Sequence, residues 1–318
     1  MRRRDFLSII GGAAAGWPLA ARAQQTTMPR IGVLLVAGPE IMGPFPQALR
    51  DLGYFEGKNI QIEMRSAEGE ANRLPGLAAE LVRSKIDIIV ASQTPAIVAA
   101  RNATSDIPII MAPAGDPVAL GLVASLARPG GNITGLSAAG PEVAAKSLEL
   151  IREIVPAARR VAALGNANDP FVRPFLEQIE KGAPMVRLEI QPIMVRDSDE
   201  LERAFAAMAQ ERADAVVIQG SLPVKSTLEL ALKYHLPAFA SQKSVAQAGA
   251  VVSYSADFAE RGHKIAGYVD NILKGAKPAE LPVQQPTKYE LVINLKSAKA
   301  LGLTIPESVL VRADEVIE

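Results

Sequence analysis

Ile86-Asp87-Ile88-Ile89-Val90-Ala91-Ser92-Gln93-Thr94-Pro95-Ala96-Ile97-Val98-Ala99-Ala100-Arg101 sets a β-branched run, a short polar tip and an alanine-rich stretch in immediate succession. A run that is apolar almost throughout reads as a strand covered on both faces of its sheet. Alanine-rich sequence directly after a proline reads as a helix, because proline fits the first helical turn. Strand, tip and helix in that order form half of a βαβ unit.

The same phrase recurs on either side. Strands are expected at 31–36, 60–64, 86–91 and 107–111, with helices at 45–52, 71–83 and 96–104. After Arg128-Pro129-Gly130-Gly131-Asn132 the chain crosses over through Ile133-Thr134-Gly135-Leu136, and the Pro/Gly cluster marks a lobe boundary. The second set has strands at 160–164, 188–195, 215–218 and 238–240, and helices at 143–154, 171–181, 199–210 and 222–234. A further strand at 250–254 leads into a helix at 258–273 and then a long extended stretch at 281–295. The expected fold is therefore α/β: two lobes, each a parallel sheet flanked by helices, joined by three hinge crossings. Residues 24–136 and 254–280 are assigned to the N-terminal lobe, and 137–253 and 281–318 to the C-terminal lobe.

Arg2, Arg3 and Arg4 precede Asp5-Phe6-Leu7, an apolar run at 9–20 and Ala21-Arg22-Ala23. Basic start, apolar middle and small-x-small site in that order are the marks of an export signal, expected to be cleaved after Ala23. The apolar run is shorter than the roughly 20 residues an anchor needs. Paired arginines followed by x-Phe-Leu resemble the twin-arginine form of that signal. Of 34 basic and 34 acidic residues, four basic and one acidic leave with residues 1–23, so the mature formal charge is −3. That balance offers no basic excess for nucleic acid or an anionic membrane surface. Later segments contain no membrane-spanning run, so a chain free in the periplasm is expected. With no cysteine, neither a disulfide nor a lipid-modified N-terminal cysteine is available.

Ligands of open parallel sheets bind beyond the carboxyl ends of the strands. The tips here are small and polar: Ser92-Gln93-Thr94-Pro95, Gly115-Asp116-Pro117, Asn166-Ala167-Asn168-Asp169-Pro170, Gln219-Gly220-Ser221, Ser241-Gln242 and Ser253-Tyr254-Ser255-Ala256-Asp257. Thr94-Pro95 and Asp116-Pro117 pair a helix cap with proline at the first helical position. Capped helix ends converging on a cleft also present free N–H groups to a carboxylate. Candidate ligand-binding residues are Phe45, Ser92, Gln93, Thr94, Asp116, Asn166, Gly220, Ser221, Ser241, Tyr254 and Asp257. Asp116 is the candidate counter-ion for a ligand amine, and Tyr254, Phe239 and Phe45 are candidate walls for an apolar body.

Enzyme motifs are missing where the fold would place them. No phosphate loop occurs, and no Gly-x-Gly-x-x-Gly follows the first strand. Gly135-Leu136-Ser137-Ala138-Ala139-Gly140 spaces its second glycine one residue too late for a nucleophile elbow. His235 and His263 stand in no metal-ligand spacing, and Asp197-Ser198-Asp199 before a helical run reads as a cap. No metal or other cofactor is expected.

Gly115-Asp116-Pro117-Val118 and Gly121-Leu122-Val123-Ala124-Ser125-Leu126-Ala127-Arg128-Pro129-Gly130-Gly131-Asn132-Ile133-Thr134-Gly135 resemble the substrate-binding family of ABC transporters that includes tryptophan-binding proteins of the type I periplasmic class. Leu52-Gly53-Tyr54, Glu56-Gly57-Lys58-Asn59, Gln285-Pro286-Thr287-Lys288-Tyr289-Glu290-Leu291-Val292-Ile293-Asn294-Leu295-Lys296 and the segment 298–306 are similar to it as well. The resemblance implies a monomer whose lobes close on a small molecule by hinge motion and deliver it to a membrane permease with a separate ATPase. An amino acid, or a related aromatic or branched carboxylate, is the expected ligand. Two other readings stay open here: a periplasmic sensing module for a membrane receptor, and an exported hydrolase using Ser137 or Ser221.

Overall fold

A computed structural model describes residues 28–318, so the export signal read at 1–23 lies outside the described residues. The chain runs β1 (Arg30–Leu35), α1 (Phe45–Asp51), β2 (Gln61–Ser66), α2 (Leu74–Arg83), β3 (Ile88–Ser92), α3 (Thr94–Ala103), β4 (Ile109–Ala114) and β5 (Ile133–Ser137). It continues with α4 (Gly140–Ile154), β6 (Arg160–Asn166), α5 (Val172–Gly182), β7 (Glu189–Val195), α6 (Ser198–Gln210), β8 (Ala215–Ile218), α7 (Val224–Lys233), β9 (Ala238–Ala240), α8 (Lys243–Gln247) and β10 (Val252–Ala256). It closes with α9 (Phe258–Leu273), β11 (Tyr289–Asn294), α10 (Leu295–Ala300), α11 (Glu307–Leu310) and β12 (Glu315–Ile317).

Two sheets result, ordered β2-β1-β3-β4-β5 and β12-β11-β10-β9-β8-β6-β7. Every pairing is parallel except β10 with β11, where Tyr254 faces Leu291. The apolar runs do what their sequence demands. In β1, Ile31, Val33 and Leu35 enter one core with Phe45, Leu49, Ile265 and Val269. Leu34 and Val36 enter the opposite core with Leu74, Leu81 and Ile97. The second sheet is likewise packed on both faces, by α4 and α5 on one side and α6 and α7 on the other. Only one side of an edge strand has a neighbour, and β2 and β7 accordingly contain exposed positions, among them Met64 and Met194.

The segment 133–136, read as a bare crossover, is most of β5 and forms the edge of the first sheet. Its strand character is masked by Gly135, whose φ of +125° and close approach to the Met111 backbone exclude a side chain. Sheet membership also moves two crossings. β10 stays in the second sheet through Ala256, so Tyr254 belongs to the C-terminal lobe rather than the N-terminal one. Gln284 still pairs with Leu136 of the first lobe, so the return crossing lies between Gln284 and Tyr289 instead of at 281. Between these points α9 returns to the first lobe and packs on α1, where Gly262 leaves no room for a Cβ against Pro44 and Phe45.

Candidate functional site

Strand order decides where a ligand can sit. Both lobes repeat one pattern: β2-β1-β3-β4-β5 in the first and β7-β6-β8-β9-β10 in the second. In such a doubly wound sheet the connections reverse direction between the first and third strands, leaving a crevice at their carboxyl ends. The crevice between β1 and β3 faces that between β6 and β8, and a cavity of about 130 Å³ lies between the lobes there.

Of the residues singled out from sequence, Ser92, Gln93, Thr94, Gly220, Ser221 and Ser241 line this cavity. Ser92 and Thr94 are already engaged locally. The Ser92 hydroxyl donates to the Ala112 carbonyl at 3.0 Å, and Thr94 Oγ1 accepts from the Gly115 N–H at 3.1 Å. Thr94 is thus the first residue of α3, not its cap. Gln93 precedes it at φ +70° and ψ 153°, a region that penalises a side chain and whose occupation by a non-glycine marks a constrained site. From there its Nε2 reaches across the cleft and donates to the Gly220 carbonyl at 2.9 Å.

Five other candidates do not line the cavity. Phe45 is 2% exposed in the first lobe's core, and Phe239, the extra wall candidate, is 1% exposed in the second's. Tyr254 stacks on Tyr289 with ring centroids 5.3 Å apart. Asp116 accepts from the Ala119 N–H at 3.0 Å and so caps a turn, while Asp257 caps α9 through the Glu260 N–H. Asn166 lies behind the wall, where its Nδ2 donates to the Ser221 carbonyl at 3.0 Å and its N–H to Gln219 Oε1 at 2.8 Å.

The charged groups of the cavity were not among the sequence candidates. Asp169, on the loop after β6, is 4% exposed. Ser221 Oγ donates to its Oδ2 at 2.5 Å, Gln219 Nε2 to the same oxygen at 2.9 Å, and the Phe171 N–H to Oδ1 at 2.8 Å. Burial pushes this carboxyl's pKa up, against the pull of the Ser221 and Phe171 hydrogen bonds. No cation stands beside it among the described residues. Arg261, from the first turn of α9, lines the opposite wall. Its Nη2 donates to the Ile41 carbonyl at 2.9 Å, and its guanidinium carbon stands 4.7 Å over the Phe258 ring. Burial pulls the guanidinium down to about 10, partly offset by the field of Glu290, which leaves it charged at neutral pH. It makes no ion pair among the described residues. One acid and one base, neither in an ion pair among the described residues, therefore approach a single cavity from different lobes.

Between them the lining is apolar: Phe171, Phe175 and Ile179 from α5 and its cap face Val143 and Ala144 of α4. The Phe171 ring also closes the cleft physically. A Cβ built on Gly115 of the first lobe would lie 2.4 Å from that ring.

The pattern of the ABC transporter substrate binding protein family matches residues 37–317. The chain belongs to that family. A tyrosine-binding protein of Clostridioides difficile is 30% identical over 265 residues, covering 81% of this chain and 75% of the relative. A conserved domain protein from Vibrio cholerae O1 biovar eltor superposes with a TM-score of 0.84 at 29% identity, over 91% of this chain and 99% of that one. An ABC domain from Streptococcus pneumonia, solved in complex with L-Trp, gives 0.83 at 28% identity over the same shares. The fold is that of the type I periplasmic binding proteins, and this substrate-binding family acts by holding small molecules.

The position of the cavity accounts for the lining residues that were not among the sequence candidates. Asp169 and Phe171 lie on the loop after the strand that flanks the second lobe's reversal point, and two strands packed in the order first, third are the signal that would have selected them. Arg261 carries no such signal, since it sits a turn inside a helix. His263 is exposed, its Nδ1 close to the Ala259 carbonyl, and it does not reach Ser137 or Ser221. Among the described residues no His, Cys, Asp and Glu group has a metal-binding arrangement, and no helix is long and apolar enough to cross a membrane.

Proposed function

We propose that this substrate-binding protein takes up an α-amino acid as its zwitterion. Arg261 holds the carboxylate from the first lobe, Asp169 holds the ammonium from the second, and the side chain lies along Phe171 and Phe175. The observation that carries the reading is a pair of opposite charges on facing lobes, the buried Asp169 and the part-buried Arg261, neither held in an ion pair among the described residues. A buried charge left alone is costly, and a ligand bearing both opposite charges relieves both costs at once. The names of the tyrosine-binding relative and the L-Trp complex point to aromatic amino acids as first probes. The proposed setting is the periplasm, reached through the twin-arginine signal read in residues 1–23, with delivery to a permease and ATPase.

The test is calorimetry with L-tyrosine and L-tryptophan beside their one-charge analogues, tyramine and 3-(4-hydroxyphenyl)propionate. Both amino acids, or one of them, should bind at least about tenfold tighter than either analogue. A neutral sugar binding as well as the amino acids would overturn the reading.

Ligand contacts on both lobes favour the closed arrangement in which they are all made. Gly115→Val is expected to obstruct that closure, because the new side chain meets Phe171 only when the lobes are together. Overpacking of this kind costs about 1–3 kcal/mol, so L-tyrosine affinity should fall on the order of tenfold to a hundredfold. The melting temperature of the empty variant should stay near that of the unmodified protein. Small-angle scattering should show less compaction on adding L-tyrosine, and full compaction would refute the closure role of this contact.

A further inference from the structure

The cavity contains one more unused polar group. Phe171 caps α5, and Phe175, Gln178 and Ile179 follow on the same helix face at the i+4, i+7 and i+8 positions. All four line the cavity. The Gln178 amide neither donates nor accepts a hydrogen bond among the described residues, yet it is not sealed in the way Gln93 Oε1 is, which is buried without a partner. It lies over Gly140, the first residue of α4, where an added Cβ would come within 2.5 Å of Gln178 Oε1. That glycine has no φ requirement of its own, so its lack of a side chain leaves room for the amide.

We infer that Gln178 reads a polar tip on an aromatic ligand side chain, so that the protein selects aromatic amino acids carrying a ring hydroxyl or ring N–H over phenylalanine. This rests on the amino-acid reading of the cavity. The geometry that carries it is a progression along one helix: Asp169 just before α5, two phenylalanine rings on its first turns, then an unpartnered amide. From Phe171 to Gln178 the helix rises about 10 Å, comparable to an aromatic amino acid with a hydrogen bond at each end. A carboxamide offers both a donor and an acceptor, so it serves a phenol or an indole equally. Phenylalanine would leave the amide unpaired in a closed cavity, which is how a binding site rejects an analogue lacking a hydroxyl.

Calorimetry with L-tyrosine, L-tryptophan and L-phenylalanine tests the inference on the unmodified protein, Gln178→Leu and Gly140→Ala. In the unmodified protein L-tyrosine or L-tryptophan should bind at least about tenfold tighter than L-phenylalanine. Gln178→Leu should erase that preference while L-phenylalanine affinity holds or improves. Gly140→Ala, which displaces the flexible end of Gln178 and leaves the backbone in place, should reduce the preference with little change in melting temperature. A preference retained in both variants, or absent from the unmodified protein, would overturn this inference alone. An unmodified protein that binds none of the three would overturn the amino-acid reading along with it.

Discussion

Asp169→Asn is expected to weaken L-tyrosine binding more than any other single change at the site. The substitution keeps the side chain's shape and removes its charge. Removing one member of a buried, hydrogen-bonded charge pair costs about 2–5 kcal/mol, a weakening on the order of thirtyfold to several thousandfold. Binding should also depend on pH in a definite direction. Burial raises the folded-state pKa of Asp169 above its ordinary 3.8. In the empty protein the ionised carboxylate therefore subtracts stability, and the loss grows as pH rises from 3.8 through the raised pKa. A bound ammonium favours the ionised form, so affinity is highest above the raised pKa and fades as pH falls through it. Calorimetric titration at several pH values checks both statements. An asparagine variant that binds L-tyrosine normally, or an affinity flat across that window, would remove Asp169 from the binding role.

Arg261→Met is expected to act at the other end of the ligand and to change selectivity as well as affinity. The unmodified guanidinium is held by the Ile41 carbonyl and the Phe258 ring without an ion partner, so it is positioned for an incoming carboxylate. Methionine retains most of the apolar stem and deletes the charge. L-tyrosine affinity should drop on the order of a hundredfold, within the range for truncating one partner of a hydrogen-bonded charge pair. With Asp169 now the sole charge of the pair, tyramine should overtake L-tyrosine. Equal losses for tyramine and L-tyrosine would show that Arg261 supports the fold without touching the carboxylate. Melting of the variant separates that outcome from unfolding, because the stem still packs where the present side chain does.

The two-lobed scaffold is legible in the sequence because burial on both sheet faces imposes nearly continuous apolar runs, as at Ile31–Leu35 in β1 and Ile88–Ala91 in β3. The rule that ligands meet strand tips reaches Gln93, Gly220 and Ser221, whose places follow from chain connectivity. It fails for Asn166 because β6 runs two residues further than expected, which leaves that side chain to brace the loop while Asp169 enters the cavity. Aromatics mislead for a different reason. A residue near a strand end points to one face or the other, and period two alone does not say which face meets the cleft. Phe239, in β9, turns into the core, as does Phe45 at the start of α1, whereas Phe171, at a helix cap, lines the cavity. Arg261 depends on α9 returning to the first lobe, a tertiary fact with no local signature.

That return has a consequence for biogenesis. Ile31 and Val33 on one side of the first sheet, together with Phe45 of α1, are covered by Ile265 and Val269 of a helix made only after β10 ends at Ala256. A nascent chain leaving the ribosome therefore carries a greasy, unfinished face for most of its synthesis. Completion of the earliest-made part awaits nearly the last, and a chaperone that shields such surfaces has its longest task at the beginning of the polypeptide.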